Sequence, residues 1–190
     1  MRRVAVISTA SGNGKTTVAR AVAARLDVPY YELDALHHGP NWAEPPLVEF
    51  RARVERIVES EAWVIDGAYR GKLGDLVLEG ADLVVWLDLP LRVWLPRLVR
   101  RTAKRVIRRE ELWAGNRERL RDALHPHNSV VFYALRKYRR QRRTYAAELA
   151  RFALVRLCSQ REVDDFLARD LSSATQAAAR SPSQIGVKST

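Results

Sequence analysis

Cysteine is almost missing from this chain: Cys158 is the single one among 190 residues. That excludes an internal disulfide framework and a cysteine-built zinc site, and Cys158 itself reads as a small buried residue beside a strand. Long apolar runs are missing too. Apolar residues make up 47% of the sequence, but they come in short runs, none near the roughly 18 of a membrane span. The opening MRRVAVISTASG pairs two arginines with an apolar run, yet that run has strand length and leads straight into GNGKTT, so it reads as a first strand and not as a leader. No internal repeat is visible. The expectation is a soluble, cytoplasmic, single-core protein without membrane contact.

What the sequence does have is positive charge, and it is local. The formal net charge is +11; residues 97–143 hold 16 Lys or Arg against 4 Asp or Glu, a balance of +12, which leaves −1 for the rest. Such a segment suits a nucleic-acid groove, an arginine clamp on a nucleotide's phosphates, or a solvated helix face. In LRKYRRQRRTYAAEL, Arg136, Arg139, Arg140 and Arg143 are the candidates to face inward.

Apolar stretches of strand length recur at 4–7, 28–33, 63–66, 83–89 and 152–157. Between the first two, Val18, Ala21, Val22 and Leu26 repeat at helical spacing over Lys15 to Leu26; between the next two, Leu47, Val54, Ile57 and Val58 do the same after a Pro-Pro pair. Further helices are expected at 91–109, 129–151 and 162–171. Strand alternating with helix points to a parallel sheet covered on both faces. The SSATQAAARSPSQIGVKST ending is small, polar and aperiodic, so 172–190 is expected to be a disordered tail.

The stretch STASGNGKTT follows the first strand and opens the first helix. It matches GxxxxGK[ST] except that Thr9 stands at the first glycine, a position that ends the strand and does not wrap the phosphates. Ser11, Gly12, Asn13, Gly14 and Thr17 frame backbone amides for an anion at a helix N-terminus. Lys15 supplies an ammonium, and Thr16 a hydroxyl for magnesium. A nucleoside triphosphate site is the reading. Asp34 follows the second strand, and Asp66 and Asp88 sit at the ends of the third and fourth, where carboxylates line the crevice of such a sheet; Asp66 and Asp88 are candidates, with Thr16, to hold magnesium. In DALHHGPNW, His37 and His38 are candidates for an acceptor or a metal, and Trp42 for stacking or for packing. Trp63, Trp86, Trp94 and Trp113 read as packing residues.

Three further segments resemble the adenylate kinases. VIDGAYRG is similar to their DGxxR segment, which implies acceptor phosphate at Arg70, magnesium near Asp66, and Gly67 beside them. LDLPLRVWLPRLVRR resembles their DxP followed by RxxxR, implying Arg97 over the ATP adenine and Arg101 on the transferred phosphate. LCSQREVDDFL is similar to the adenine loop and its helix, implicating the backbone at Ser159 and Arg161. From Val4 to about Leu171 the chain most resembles the small adenylate-kinase-like proteins named for DNA topology modulation, with LDALHHGPNW and EELWAGNRE carrying that narrower likeness.

The resemblance implies an α/β P-loop nucleoside- or nucleotide-kinase-like fold: a five-stranded parallel sheet in order 2-3-1-4-5, helices on both faces, one domain over 1–171 and a small helical lid at about 102–128. It also implies ATP and Mg2+ as cofactors and transfer of the γ-phosphate to a nucleotide, nucleoside or other small acceptor. Asp34 matches the place where shikimate-kinase-like enzymes hold an acceptor hydroxyl and would be the base; with a phosphate acceptor Arg70 matters more. Between strands two and three, 34–62 is too short for the helical AMP domain of true adenylate kinases. The alternative reading is an ATP-dependent regulatory or nucleic-acid-binding protein that uses the basic segment.

Overall fold

The computed structural model describes residues 1–108, 110–116, 138, 142 and 144–168. Arg136, Arg139, Arg140 and Arg143, the lid beyond residue 116, most of the expected helix 129–151 and the tail 172–190 lie outside the described residues. Five strands, β1 (Arg3–Ser8), β2 (Tyr30–Glu32), β3 (Trp63–Asp66), β4 (Leu83–Leu87) and β5 (Leu154–Leu157), form one parallel sheet in the order β2-β3-β1-β4-β5. The expected strand order is the observed one.

Alternation along the central strands divides the core in two. Val4, Val6, Val64, Leu83, Val85 and Leu87 face one side, where α1 (Lys15–Leu26) and α7 (Gln160–Ala168) contribute Val18, Val22, Val163 and Phe166. Ala5, Ile7, Trp63, Ile65, Val84 and Trp86 face the other. There α3 (Leu47–Val58) brings Phe50 and Val54, and α5 (Leu76–Glu79) brings Val77 and Leu78. Because both faces are covered, the central strands are apolar without interruption. Trp63, Trp86 and Trp94 are fully buried, as their packing role requires.

Several local expectations are corrected. The second strand spans only 30–32, because Leu33 starts a short helix, α2 (Leu33–His37), whose Leu33 and His37 are buried one turn apart. Asp34 therefore stands in the first turn of a helix. In α3 the buried anchors are Phe50 and Val54, while Leu47, at the helix start, is 53% exposed. Phe152 packs into the core ahead of β5, and α7 begins two residues early at Gln160. Cys158 is exposed and not buried.

After β4, α6 (Leu91–Arg108) runs through the start of the expected lid. Two single 3-10 turns, Pro40–Trp42 and Trp113–Gly115, lie on the side of β2 and pack on each other. No described helix is long and apolar enough to cross a membrane.

Candidate functional site

The carboxyl ends of the strands meet at one edge, with Glu32 in register with Asp66, Asp66 with Val6, and Ser8 with Leu87. Residues 9–14 leave that edge and turn into α1, whose first turn contains no acidic side chain. Gly14 precedes the helix with φ +83°, and Gly12 has φ +89°; a Cβ on Gly12 would stand 2.8 Å from the Trp94 carbonyl oxygen of α6. The loop thus lies on α6 as closely as the backbone allows. Ser11 and Thr17 are exposed, and Asn13 is buried with its amide donating to Leu87 O (3.2 Å) and Thr9 Oγ1 (3.4 Å).

Lys15, Thr16 and Asp66 converge. The Lys15 ammonium bonds Asp66 Oδ1, and Thr16 Oγ1 donates to Oδ2 at 2.7 Å. Tyr30 from β2 donates its hydroxyl to the same Oδ2 at 3.1 Å. Asp66 is buried, so a set of donors is what keeps its charge tolerable. Gly67 has φ +109°, and its missing Cβ would lie 3.6 Å from Lys15 Nζ. Glu32 nearby has its carboxyl pushed up by burial and by the charges of Asp66 and Asp34.

Asp88 belongs to a separate cluster. It is buried, its Oδ2 accepts from Arg156 Nε at 3.1 Å and from Arg156 Nη2, Arg142 Nε stands 3.7 Å away, and Thr9 Oγ1 lies 3.3 Å from Oδ1. Arg156 stacks on Trp86, 4.4 Å from its ring centre. Asp66 and Asp88, both read as magnesium residues, are held by different partners.

On the other side of Asp66, Tyr69 donates to Asp34 Oδ1 at 2.6 Å. Tyr69 has φ +46°, a left-handed conformation that costs a non-glycine residue about 1–2 kcal/mol. It opens α4 (Arg70–Leu73). Arg70 points away: Nε donates to Asp75 Oδ1 at 2.5 Å, Nη1 bonds Glu148, and the guanidinium covers Tyr145. Burial alone would lower the Arg70 pKa, but these two carboxylates raise it, and both carboxyls are held below their ordinary range by Arg70.

Trp42 is 40% exposed and meets the rings of His38 and Trp113 edge-on. Its backbone N–H donates to Asn116 Oδ1 at 3.0 Å, while Asn116 Nδ2 donates to Gly39 O and Trp113 O, each at 2.8 Å. His37 is buried against Phe50 and Tyr69.

Arg97 on α6 donates to Gln160 Oε1 at the start of α7 (2.9 Å), and Arg101 follows one turn later on the same helix. Ser159 caps α7 by a reciprocal exchange with Glu162: Glu162 N donates to Ser159 Oγ at 3.2 Å, and Ser159 Oγ to Glu162 Oε1 at 3.1 Å. Arg161 is exposed, 3.9 Å from Asp165.

Tyr30, Tyr69, Lys72, Arg156 and Asn116 were not singled out from sequence. Their roles depend on partners 28 to 77 residues away, which leave no periodic signal.

No protein-family model matches the chain, and no curated protein matches it. Solved structures do. A gluconokinase from Sinorhizobium meliloti 1021 superposes with a TM-score of 0.53 at 18% identity, over 94% of each chain. A shikimate kinase from Acinetobacter baumannii, in complex with shikimate, superposes with a TM-score of 0.55 at 17% identity, over 88% of this chain and 90% of its own. At that identity the likeness is one of architecture: the chain has the fold of the small P-loop kinases.

Proposed function

We propose that the chain is an ATP- and magnesium-dependent phosphotransferase that moves the γ-phosphate to a hydroxyl of a small acceptor. The observation that carries this is the convergence of Lys15 and Thr16 on Asp66, with Asp34 and its Tyr69 partner on the adjoining strand end. The loop amides of 11–14 and the α1 terminus cradle the phosphates, together with Thr17, and Lys15 leaves Asp66 for the β and γ groups. Arg97 and the Ser159–Arg161 turn flank the adenine, and Arg101 meets the transferred phosphate.

Thr16 and Asp66 fit magnesium, being hard oxygen donors 2.7 Å apart at the loop. Among the described residues no three His, Cys, Asp or Glu side chains gather for a metal, which suits an ion that takes one or two protein ligands and keeps phosphate oxygens and water. When bound it neutralises phosphate charge. Asp88, already facing Arg156 and Arg142, suits that role less.

The acceptor hydroxyl gives its proton to Asp34 as its oxygen bonds the γ-phosphorus, the bond from that phosphorus to the β-phosphate oxygen breaks, and ADP leaves. Tyr69 holds the carboxylate in place for the proton. A hydroxyl is favoured over a phosphate acceptor because Arg70, which would hold a phosphate, is already engaged by Asp75 and Glu148. Within the segments that carry the likeness to topology-modulation proteins, Asn116 meets Gly39 and Trp42, and in this reading these three residues wall the acceptor side.

The test is ADP formation by purified protein with MgATP across sugars, polyols, sugar acids, phosphate monoesters, nucleosides and nucleotides. Acceptor-stimulated turnover is expected, abolished by Lys15→Ala and reduced at least a hundredfold by Asp34→Asn, the range of a lost general base. No acceptor-stimulated ADP across that panel overturns the proposal.

A further inference from the structure

Two cations stand on α4, and their surroundings differ. Arg70 is shared between Asp75 and Glu148, while Arg151 also bonds Asp75 at 2.5 Å. To release Arg70 would take its cation from Glu148 and one of two from Asp75, a costly exchange for partly buried groups. Lys72 lies on α4, and Tyr69 is the residue that precedes that helix. They stand on either side of His37: the Tyr69 ring centre lies 4.7 Å from the imidazole centre, and Lys72 Nζ 2.6 Å from His37 Nε2. Tyr69 in turn holds Asp34. His37 is thus met both by the phenol that bonds the base and by an ammonium.

The partners of Lys72 are weakly held. One is Glu44, at 2.5 Å, whose side chain is 55% exposed in the loop before α3. An exposed pair of this kind is worth little and is easily exchanged. The other is His37, which burial and the neighbouring ammonium keep toward the neutral form, so its ring can accept from Lys72 without repelling that cation. Among the described residues, buried His37 Nδ1 has no hydrogen-bond partner.

We infer that Lys72 is the acceptor-recognising cation, and that the acceptor is a hydroxylated anion whose carboxylate or phosphate ester takes the place of Glu44 while its hydroxyl meets Asp34. This rests on the phosphotransferase reading and adds the chemical class of the acceptor. Glu44 then acts as a stand-in for the substrate's charge and competes with it.

The experiment uses the full chain with MgATP and matched sets of acceptors: neutral sugars and polyols, the corresponding sugar acids, and the corresponding phosphate monoesters. Turnover is expected with anionic members and not with neutral ones, and the acid and monoester arms tell which anion is used. Lys72→Met should raise the acceptor KM tenfold or more, the scale of a lost charge-assisted hydrogen bond, with the KM for ATP unchanged; Lys72→Arg should recover most of it. Glu44→Gln should lower the acceptor KM, whereas a merely structural Lys72–Glu44 pair would make both variants alike. Neutral acceptors used as well as anionic ones, or a silent Lys72→Met, overturns the inference and leaves the phosphotransferase reading standing. Absence of any acceptor-dependent ADP overturns both.

Discussion

Thr9 occupies the place where the loop pattern calls for glycine, and its side chain makes contacts for which glycine has no atoms. It is fully buried; its hydroxyl lies 3.3 Å from both Leu87 O and Asp88 Oδ1 and accepts from Asn13. Its single proton serves one of the two oxygens at a time. Thr9→Gly, which completes the motif, should therefore destabilise the protein by about 1–3 kcal/mol, since a buried carboxylate loses a donor and the backbone gains freedom. A melting temperature several degrees lower, with no gain in ATP affinity, is the expected outcome; a stable variant that binds ATP more tightly would sink the explanation. His37 allows a second prediction at this scale. Burial and then Lys72 lower its pKa in the fold. The native state therefore holds fewer protons than the unfolded chain. The stability this contributes is complete above the unfolded value near 6.5 and is lost as pH falls through it toward the lower native value. Melting temperatures of wild type and His37→Gln, followed from about pH 7.5 to 5, should converge toward the acid end. Parallel curves would show that His37 does not titrate with unfolding.

At the scale of elements, two 3-10 turns are joined by one carboxamide. Asn41, Trp42 and Ala114 all have φ between +55° and +60°, conformations that persist only where surrounding contacts impose them. Asn116 is that contact: it is 5% exposed, accepts from the Trp42 N–H and donates to Gly39 O and Trp113 O. Asn116→Ala should release both turns while leaving the sheet intact, at a cost of about 1–3 kcal/mol. Hydrogen exchange reads this directly. The Trp42 amide should exchange at least tenfold faster, a loss of about 1.4 kcal/mol of protection, whereas amides of β1 and β3 keep their rates. Unchanged exchange at Trp42 would mean that the turns hold their shape without Asn116.

Over the whole molecule, what was legible in the sequence follows the burial of each element. β3 and β4 are covered on both faces and read as unbroken apolar runs, and α1 shows its buried stripe at 18 and 22. β2 is a half-buried edge of three residues, and its boundary was blurred by Leu33, whose burial belongs to a helix. The loop and the strand-end carboxylates were legible because their chemistry is local. Their partners were not: Tyr69 reaches Asp34 across 35 positions and Arg156 reaches Asp88 across 68.

The Arg156 pair also ties the sheet to the loop, since Asp88 follows β4, Arg156 lies on β5 and Thr9 follows β1. With the Asp88 side chain wholly excluded from water, Arg156→Met would leave a buried charge with Arg142 and Thr9 as remaining partners. A loss of about 3 kcal/mol is expected, the lower end for a broken buried pair because those two stay. Asp88→Asn combined with Arg156→Met should recover part of it, because the unpaired charge is gone; equal losses in single and double variants would deny the pairing a role in stability. The same Asp88→Asn variant separates this anchoring from magnesium binding. An anchor changes unfolding midpoints and leaves the magnesium concentration needed for ATP binding unaltered. A ligand does the reverse, raising the magnesium requirement at an unchanged melting temperature, so calorimetric ATP titration over a magnesium series decides between them.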